Sequence, residues 1–379
     1  MNSISKSKIA LNVPLVTSKG LVYIEDALKT GDDAYLNKCK EYFKEKYNFK
    51  NIFLTSSCTQ ALEMAAILSK VQNGDEVIIP SFTYVSTANP FVLRGADIVF
   101  ADSSENSPNM DVGKLELLIT PRTKVIVVVH YGGVACEMDK IMKLAEKHNC
   151  MVIEDAAHSI DAFYKSKPLG SFGHLATFSF HETKNITCIE GGMLVVNDPT
   201  LVARAEVIYE KGTNRLAFNR GEVEKYQWMD IGSSFTMSNL TAAYLYSQLE
   251  QLEEIQKRRK LLWNLYYHLL RPLADDNKIK LPPVSFYGFH NAHLFYFVCN
   301  SEKERGELMN YLSEQDIASA FHYLSLHSSP FFKDKYNGLP LLNADKFSDC
   351  LLRLPLYYKL KEEDIHSITD KIKLFYSKV

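Results

Sequence analysis

Asp155 and Lys184 are the residues of this sequence whose types and placement best suit chemistry. Asp155 closes the apolar run of VIEDAAHSI (152–160), and Lys184 follows the run in GSFGHLATFSFHETKN (170–185). If the two runs are neighbouring strands, a carboxylate and an amine face each other across one crevice, beyond the strand ends where open α/β sheets hold their ligands. An aromatic aldehyde cofactor needs that pair: an amine to form a Schiff base and a carboxylate to keep a pyridine nitrogen protonated. The residues therefore read as the centre of a pyridoxal phosphate enzyme. Each also has a plainer reading, Asp155 as a helix N-cap before AAHS and Lys184 as a solvated side chain in a polar turn.

Further residues could complete such a site. TSSCTQALEMAA (55–66) places Ser56, Ser57 and Thr59 at the start of an amphipathic helix, where backbone N–H groups and the helix dipole can hold a phosphate, or where the hydroxyls simply cap the helix. Ser179, in the run leading to Lys184, could add a hydroxyl to the same phosphate. Tyr84, in IIPSFTYVSTANP, follows a strand-like run and could stack on a cofactor ring or pack into the core. His158, three residues after Asp155, could touch a ring hydroxyl or be an ordinary packed histidine. His181–Glu182 begins like the zinc motif HExxH, but Asn185 stands where the second histidine would be, so metal is rejected. The absence of GxGxxG and Walker A patterns disfavours a dinucleotide or P-loop enzyme.

These residues must be positioned by elements that the apolar pattern outlines. Runs at 75–80, 96–102, 124–130, 150–155, 176–180 and 191–196 are continuously apolar rather than alternating, as strands buried on both faces are. Helical patterns at 59–71 and 137–149 separate several of them, which predicts an α/β layer architecture. The last three runs lie too close for full helices between them, so part of the sheet is expected to be antiparallel. Residues 238–270 read as one long amphipathic helix, kinked or straight, joining a large domain (1–250) to a small one (251–379). LPPVSF (281–286) breaks the chain, and 293–300, 303–315 and 364–376 suggest a strand and two helices in the C-terminal domain.

With 379 residues, 46% hydrophobic and 23% charged, the chain has the composition of a globular protein of one large and one smaller domain. A net charge of −2 offers no global attraction to nucleic acid or anionic membrane. Seven scattered cysteines without a CxxC pair favour neither disulfides nor a zinc cluster. No run approaches the roughly 18 apolar residues of a membrane span, and MNSISKSKIALNVP lacks the apolar core of a signal peptide. A cytoplasmic protein is expected.

Taken together, EDAAH, GSFGHLATFSFHETKN followed by EGG, PSFTYVSTANPFVLRGA and VHYGGVACEMD resemble the DegT/DnrJ/EryC1/StrS sugar aminotransferases over essentially the whole chain. The resemblance implies the fold type I (aspartate aminotransferase-like) architecture: a mixed, mostly parallel sheet in a large domain plus a smaller α+β domain. SFHETKN, EKGTNR, FNRGEVEKYQWMDIGSS and LLRLPLYYKL resemble the dTDP-4-amino-4,6-dideoxygalactose transaminases. That branch implies transfer of the amino group of L-glutamate to C4 of dTDP-4-dehydro-6-deoxyglucose, by a ping-pong scheme in which the cofactor alternates between pyridoxal and pyridoxamine 5′-phosphate.

Carried over by position, Lys184 matches the Schiff-base lysine and proton carrier, and Asp155 the pyridinium partner. His158 matches a Gln or His beside the ring, Tyr84 a stacking aromatic, Ser179 a phosphate-binding serine, and Cys58–Thr59 a Gly–Thr pair whose amides bind phosphate. The family implies a homodimer with shared active sites. Thr236 stands where many relatives place an Asn that reaches the partner's phosphate, leaving Ser233 or Ser234 as substitutes. Arg215, Tyr226, His322 and His327 are candidate sugar-nucleotide contacts, each with an equally good surface or packing reading. Rival readings are a product with another sugar, a C3 amine or the opposite C4 configuration; a dehydratase, which has histidine where Lys184 stands; and a non-catalytic binding protein on the same fold.

Overall fold

The computed structural model describes residues 9–283 and 288–378. Seven strands form the main sheet: β1 (Ile52–Thr55), β2 (Glu76–Pro80), β3 (Asp97–Ala101), β4 (Thr123–Val129), β5 (Met151–Asp155), β6 (Leu175–Ser179) and β7 (Gly192–Val196), in the order β1-β7-β6-β5-β4-β2-β3. The pairs from β6 through to β3 are parallel, and β7 runs antiparallel to both of its neighbours. The expected mixed, mostly parallel sheet is thus present. Only β1 went unread in the sequence, its four residues being too few to mark a strand.

Continuous apolar runs form these strands because both faces of the sheet are covered. Val77, Ile79, Val125, Val127 and Ile153 enter one core, while Ile78, Ile126, Val128 and Val152 enter another on the opposite face. Side chains alternate faces along a strand, so each run feeds two cores at once. Met193 and Val195 of β7 join Phe178 of β6 in a further cluster beneath the N-terminal helices.

The long helix read over 238–270 is two: α1 (Asn239–Leu249) and α2 (Leu252–Asp275), broken at Glu250 and Gln251. Ser238 caps α1 by accepting from the Thr241 N–H, and Gln251 lies outside helical geometry. An amphipathic stripe that continues across such a step leaves little trace of it in the sequence. Beyond it, β8 (Phe295–Val298) and β9 (Leu351–Leu354) pair antiparallel. They pack with α2, α3 (Glu302–Glu314) and α4 (Glu362–Lys378) around Leu262, Phe297, Leu308, Leu352 and Ile368. The break read at LPPVSF falls partly outside the described residues.

All seven cysteines are free thiols. Among the described residues no helix is long and apolar enough to cross a membrane, and no group of three or more His, Cys, Asp or Glu is arranged to hold a metal ion.

Candidate active site

Asp155 is the last residue of β5 and is buried. One carboxylate oxygen accepts the Thr87 hydroxyl at 2.7 Å and the other accepts the Ala157 N–H at 3.2 Å. Thr87 is itself held by Thr83 at 2.9 Å. No helix follows Asp155, so it is not a helix N-cap. Burial raises its pKa, opposed by the Thr87 and Ala157 hydrogen bonds and by the Lys184 charge. A carboxylate so placed is stabilised by any cation brought to it, and a protonated ring nitrogen is one.

Lys184 sits one strand over, in the turn after β6, where Thr177 of β6 pairs with Asp155 of β5. Its backbone N–H closes the turn on the His181 carbonyl at 2.9 Å. The next residue anchors that turn: Asn185 donates to the Gln256 side chain and the Asn291 carbonyl, both at 2.8 Å, and meets His293 Nδ1 at 2.9 Å. Burial lowers the Lys184 pKa to about 8, with the Arg353 charge acting in the same direction and Cys58 and Asp155 opposing it. At neutral pH roughly a tenth of such amines are unprotonated, against about one in several thousand for an ordinary lysine. Burial thus makes this amine less basic than that of a solvated lysine.

His158 is buried and stacks on His293 with ring centroids 4.2 Å apart. Its Nδ1 accepts the Gly132 N–H at 3.2 Å, and burial and the Lys184 charge hold its pKa well below the ordinary value. The ring is therefore neutral, with its proton on Nε2, which lies 3.3 Å from the Tyr323 hydroxyl. That N–H meets the Tyr323 hydroxyl where both residues line the cavity. Gly133, at φ 77°, must be glycine, because a side chain there would collide with Asn291 Oδ1, which accepts from the His293 N–H.

The candidate phosphate cradle is the start of the helix Cys58–Leu68, capped by Ser57, whose hydroxyl accepts the Gln60 N–H at 3.2 Å. Cys58 carries no left-handed backbone, so the position does not require glycine. Burial pushes its thiol pKa up, which keeps it protonated and inert. Thr59 donates its hydroxyl to Ser86 at 2.9 Å. Ser56, bonded to Gln60, does not line the cavity. A cavity of about 760 Å³ unites Cys58, Thr59, Tyr84, Asp155, His158, Ser179 and Lys184. Tyr84 is 58% exposed, its ring 6.1 Å from that of Tyr323, so it stands at the rim and is not packed into the core.

Of the candidate sugar contacts, His322 lines the cavity and is bound by the Tyr131 hydroxyl at 2.7 Å. His327 lies apart, 2.8 Å from Ser81 and buried. Arg215 and Tyr226 are exposed outside the cavity. Thr236 pairs with Thr55, and Ser233 and Ser234 are exposed beyond the cavity. Sequence reasoning missed Thr87 and Arg353. Thr87 lay inside the quoted IIPSFTYVSTANP run with nothing to single it out, whereas a lone arginine in the apolar stretch LLRLPL was a usable signal.

A depressed lysine amine, a buried carboxylate one strand away and a helix N-terminus lining the same cavity fit pyridoxal phosphate. The chain belongs to the DegT/DnrJ/EryC1/StrS aminotransferase family, whose model matches residues 24–373; it is a pyridoxal-phosphate-dependent sugar aminotransferase. It is 32% identical over 374 residues to the spore coat polysaccharide biosynthesis protein SpsC of Bacillus subtilis, covering 96% of this chain and 95% of that one. It is 32% identical over 369 residues to GDP-perosamine synthase of Escherichia coli O157:H7, covering 96% and 97% respectively. The fold matches that of the putative sugar aminotransferase Spr1654 of Streptococcus pneumoniae, solved in its pyridoxamine phosphate form, with a TM-score of 0.89 at 24% identity over 98% of this chain and 100% of that one.

Proposed function

We propose that this chain moves the amino group of L-glutamate to C4 of dTDP-4-dehydro-6-deoxyglucose, giving dTDP-4-amino-4,6-dideoxygalactose. It acts in the cytoplasm as a homodimer, with a large cofactor-binding domain over 1–250 and a small one over 251–379. The observation that carries the chemistry is the Lys184 amine, lowered to about 8, lining one cavity with Asp155 of the adjacent strand. The choice of sugar rests on the SFHETKN, EKGTNR and LLRLPLYYKL motifs.

Pyridoxal phosphate, when bound, supplies the electron sink and the carrier for the amino group. Cys58 and Thr59 offer backbone N–H groups to its phosphate, and Ser179 a hydroxyl. Tyr84 would lie against the ring, and His158 would stand beside it. Asp155, oriented by Thr87 and Ala157, holds the ring nitrogen protonated. The Lys184 amine would take the proton from the donor Cα and, in the second half-reaction, deliver one to C4 of the sugar.

A second reading, a GDP-linked 4-amino sugar, is favoured by the 32% identity to GDP-perosamine synthase. Incubation with L-glutamate and each nucleotide keto sugar, followed by NMR of the product, decides between them. An axial C4 amine on the dTDP sugar is the expected result. An equatorial amine, or turnover of the GDP sugar alone, would replace the substrate assignment while leaving the amino transfer intact.

A further inference from the structure

The two histidines stacked in the cavity, His158 and His293, carry their protons on opposite nitrogens. In His158 the Gly132 N–H occupies Nδ1, which leaves the proton on Nε2. In His293 the assignment is reversed, and Asn185 fixes it. One end of the Asn185 amide meets the Gln256 side chain and the Asn291 carbonyl, both at 2.8 Å. A backbone carbonyl only accepts, so that end is the NH2 group, and the amide oxygen is the end that faces His293 Nδ1 at 2.9 Å. That oxygen also only accepts, so Nδ1 carries the ring proton. Burial and the Lys184 charge hold the pKa of His293 well below the ordinary value, and the ring stays neutral. Its Nε2 is therefore a bare acceptor. It has no partner among the described residues and is not closed off from solvent, and the ring lines the cavity. The backbone beneath it is held firmly. Arg259 of α2 donates to the carbonyls of Ala292 and His293, and the Asn291 side chain donates to those of His158 and Ile160, both at 2.7 Å.

A fixed acceptor left open in a cavity favours a ligand that brings a donor to it. His293 stands at the reacting end of the cavity. The residue bonded to its Nδ1 is next in sequence to Lys184, its ring lies 4.2 Å from that of His158, and Lys184 is the charge it feels most. The two substrates differ in what they offer there. Apart from the reacting amine, the Cα of an amino acid donor carries a carboxylate, which only accepts, a hydrogen and the side chain. In a 4-keto hexose the neighbouring carbon C3 carries a hydroxyl, which donates. We propose that His293 is a specificity-determining residue for the keto sugar, its Nε2 accepting the hydroxyl on the carbon next to the ketone. This rests on the keto-sugar reading of the site but not on which nucleotide the sugar carries.

Single-turnover experiments on the holoenzyme test this with the 4-keto sugar nucleotide and its 3-deoxy analogue. The wild-type pyridoxamine form should react with the 3-deoxy analogue with a kcat/KM lower by about 10-fold or more. His293→Asn keeps an amide donor near Nδ1 for Asn185 and places nothing at Nε2. It should lose about 10-fold or more on the intact sugar and little on the 3-deoxy analogue, while the L-glutamate half-reaction changes by less than about threefold. His293→Gln, whose amide reaches the Nε2 position, should recover part of the loss. Binding of the unreactive 4-hydroxy sugar nucleotide, measured by calorimetry, should weaken in the asparagine variant by a similar factor. Equal treatment of the two sugars by the wild type would overturn the assignment. So would equal losses in both half-reactions of His293→Asn, which would give Nε2 to Lys184 instead. The wild-type comparison needs no variant and stands even if His293→Asn does not fold. If only a GDP-linked keto sugar is accepted, the same pair in that series carries the test. Turnover of no keto sugar at all would overturn the proposed function, whereas turnover without discrimination overturns the role of His293 alone.

Discussion

Burial holds the Lys184 amine near about 8 in place of its ordinary 10.5. Only the unprotonated amine attacks an aldehyde, so capture of pyridoxal phosphate by the cofactor-free protein should accelerate as pH rises. The sign is that of a base losing its proton: the rate climbs about tenfold per pH unit between 6 and 7 and levels off above about 8. Stopped-flow absorbance across that range measures it, and a climb continuing to pH 10 would mean an ordinary lysine. Thr87 donates its hydroxyl to Asp155 and so orients the carboxylate. Thr87→Val should lower kcat by roughly 10-fold or more, the loss expected for a hydrogen bond to a charged group, while the urea midpoint moves little. Activity loss that simply tracked unfolding would make Thr87 a packing residue.

The elements around the site owe their closeness to particular residues. Gly192 of β7 lies against the carbonyl of Ser57 and the N–H of Cys58, and any side chain there would run into that backbone. Gly192→Ala should therefore push the helix start away from the sheet and weaken pyridoxal phosphate binding more than it weakens folding, as equilibrium dialysis and urea denaturation would reveal. Glu154, beside Asp155 on β5, accepts from His130 and from the N–H groups of Gly170, Phe172 and Gly173. Glu154→Gln replaces one accepting oxygen with a donor and should cost about 1–3 kcal/mol of stability, read from urea denaturation.

At this scale the sequence was largely legible. Six of the seven strands announced themselves as apolar runs because burial on both faces leaves no room for polar residues. The break between α1 and α2 did not, since the apolar stripe carries through Glu250 and Gln251. Asp155 and Lys184 were visible as types at strand ends. Thr87 was not, because its role arises from a fold-back of 68 residues that no local pattern encodes.

Across the whole molecule, the segment after Gly212 exposes Phe218, Tyr226, Met229 and Ile231, and Trp228 is 79% exposed. Large apolar side chains exposed together along one segment suit a protein partner better than water, which is what the proposed homodimer would supply. Sedimentation equilibrium should give twice the mass of one chain, and Trp228→Glu with Met229→Glu should shift it toward monomer. Thr236, Ser233 and Ser234 all lie outside the cavity of their own chain, so the proposed reach into a partner's site is a matter for these variants to test.

The central claim is that one amine, Lys184, carries the cofactor. Borohydride reduction of the holoenzyme followed by peptide mass spectrometry tests it directly. The account predicts a phosphopyridoxyl adduct on the peptide containing Lys184, and none in Lys184→Ala; an adduct on another lysine, or undiminished cofactor attachment in that variant, would contradict it.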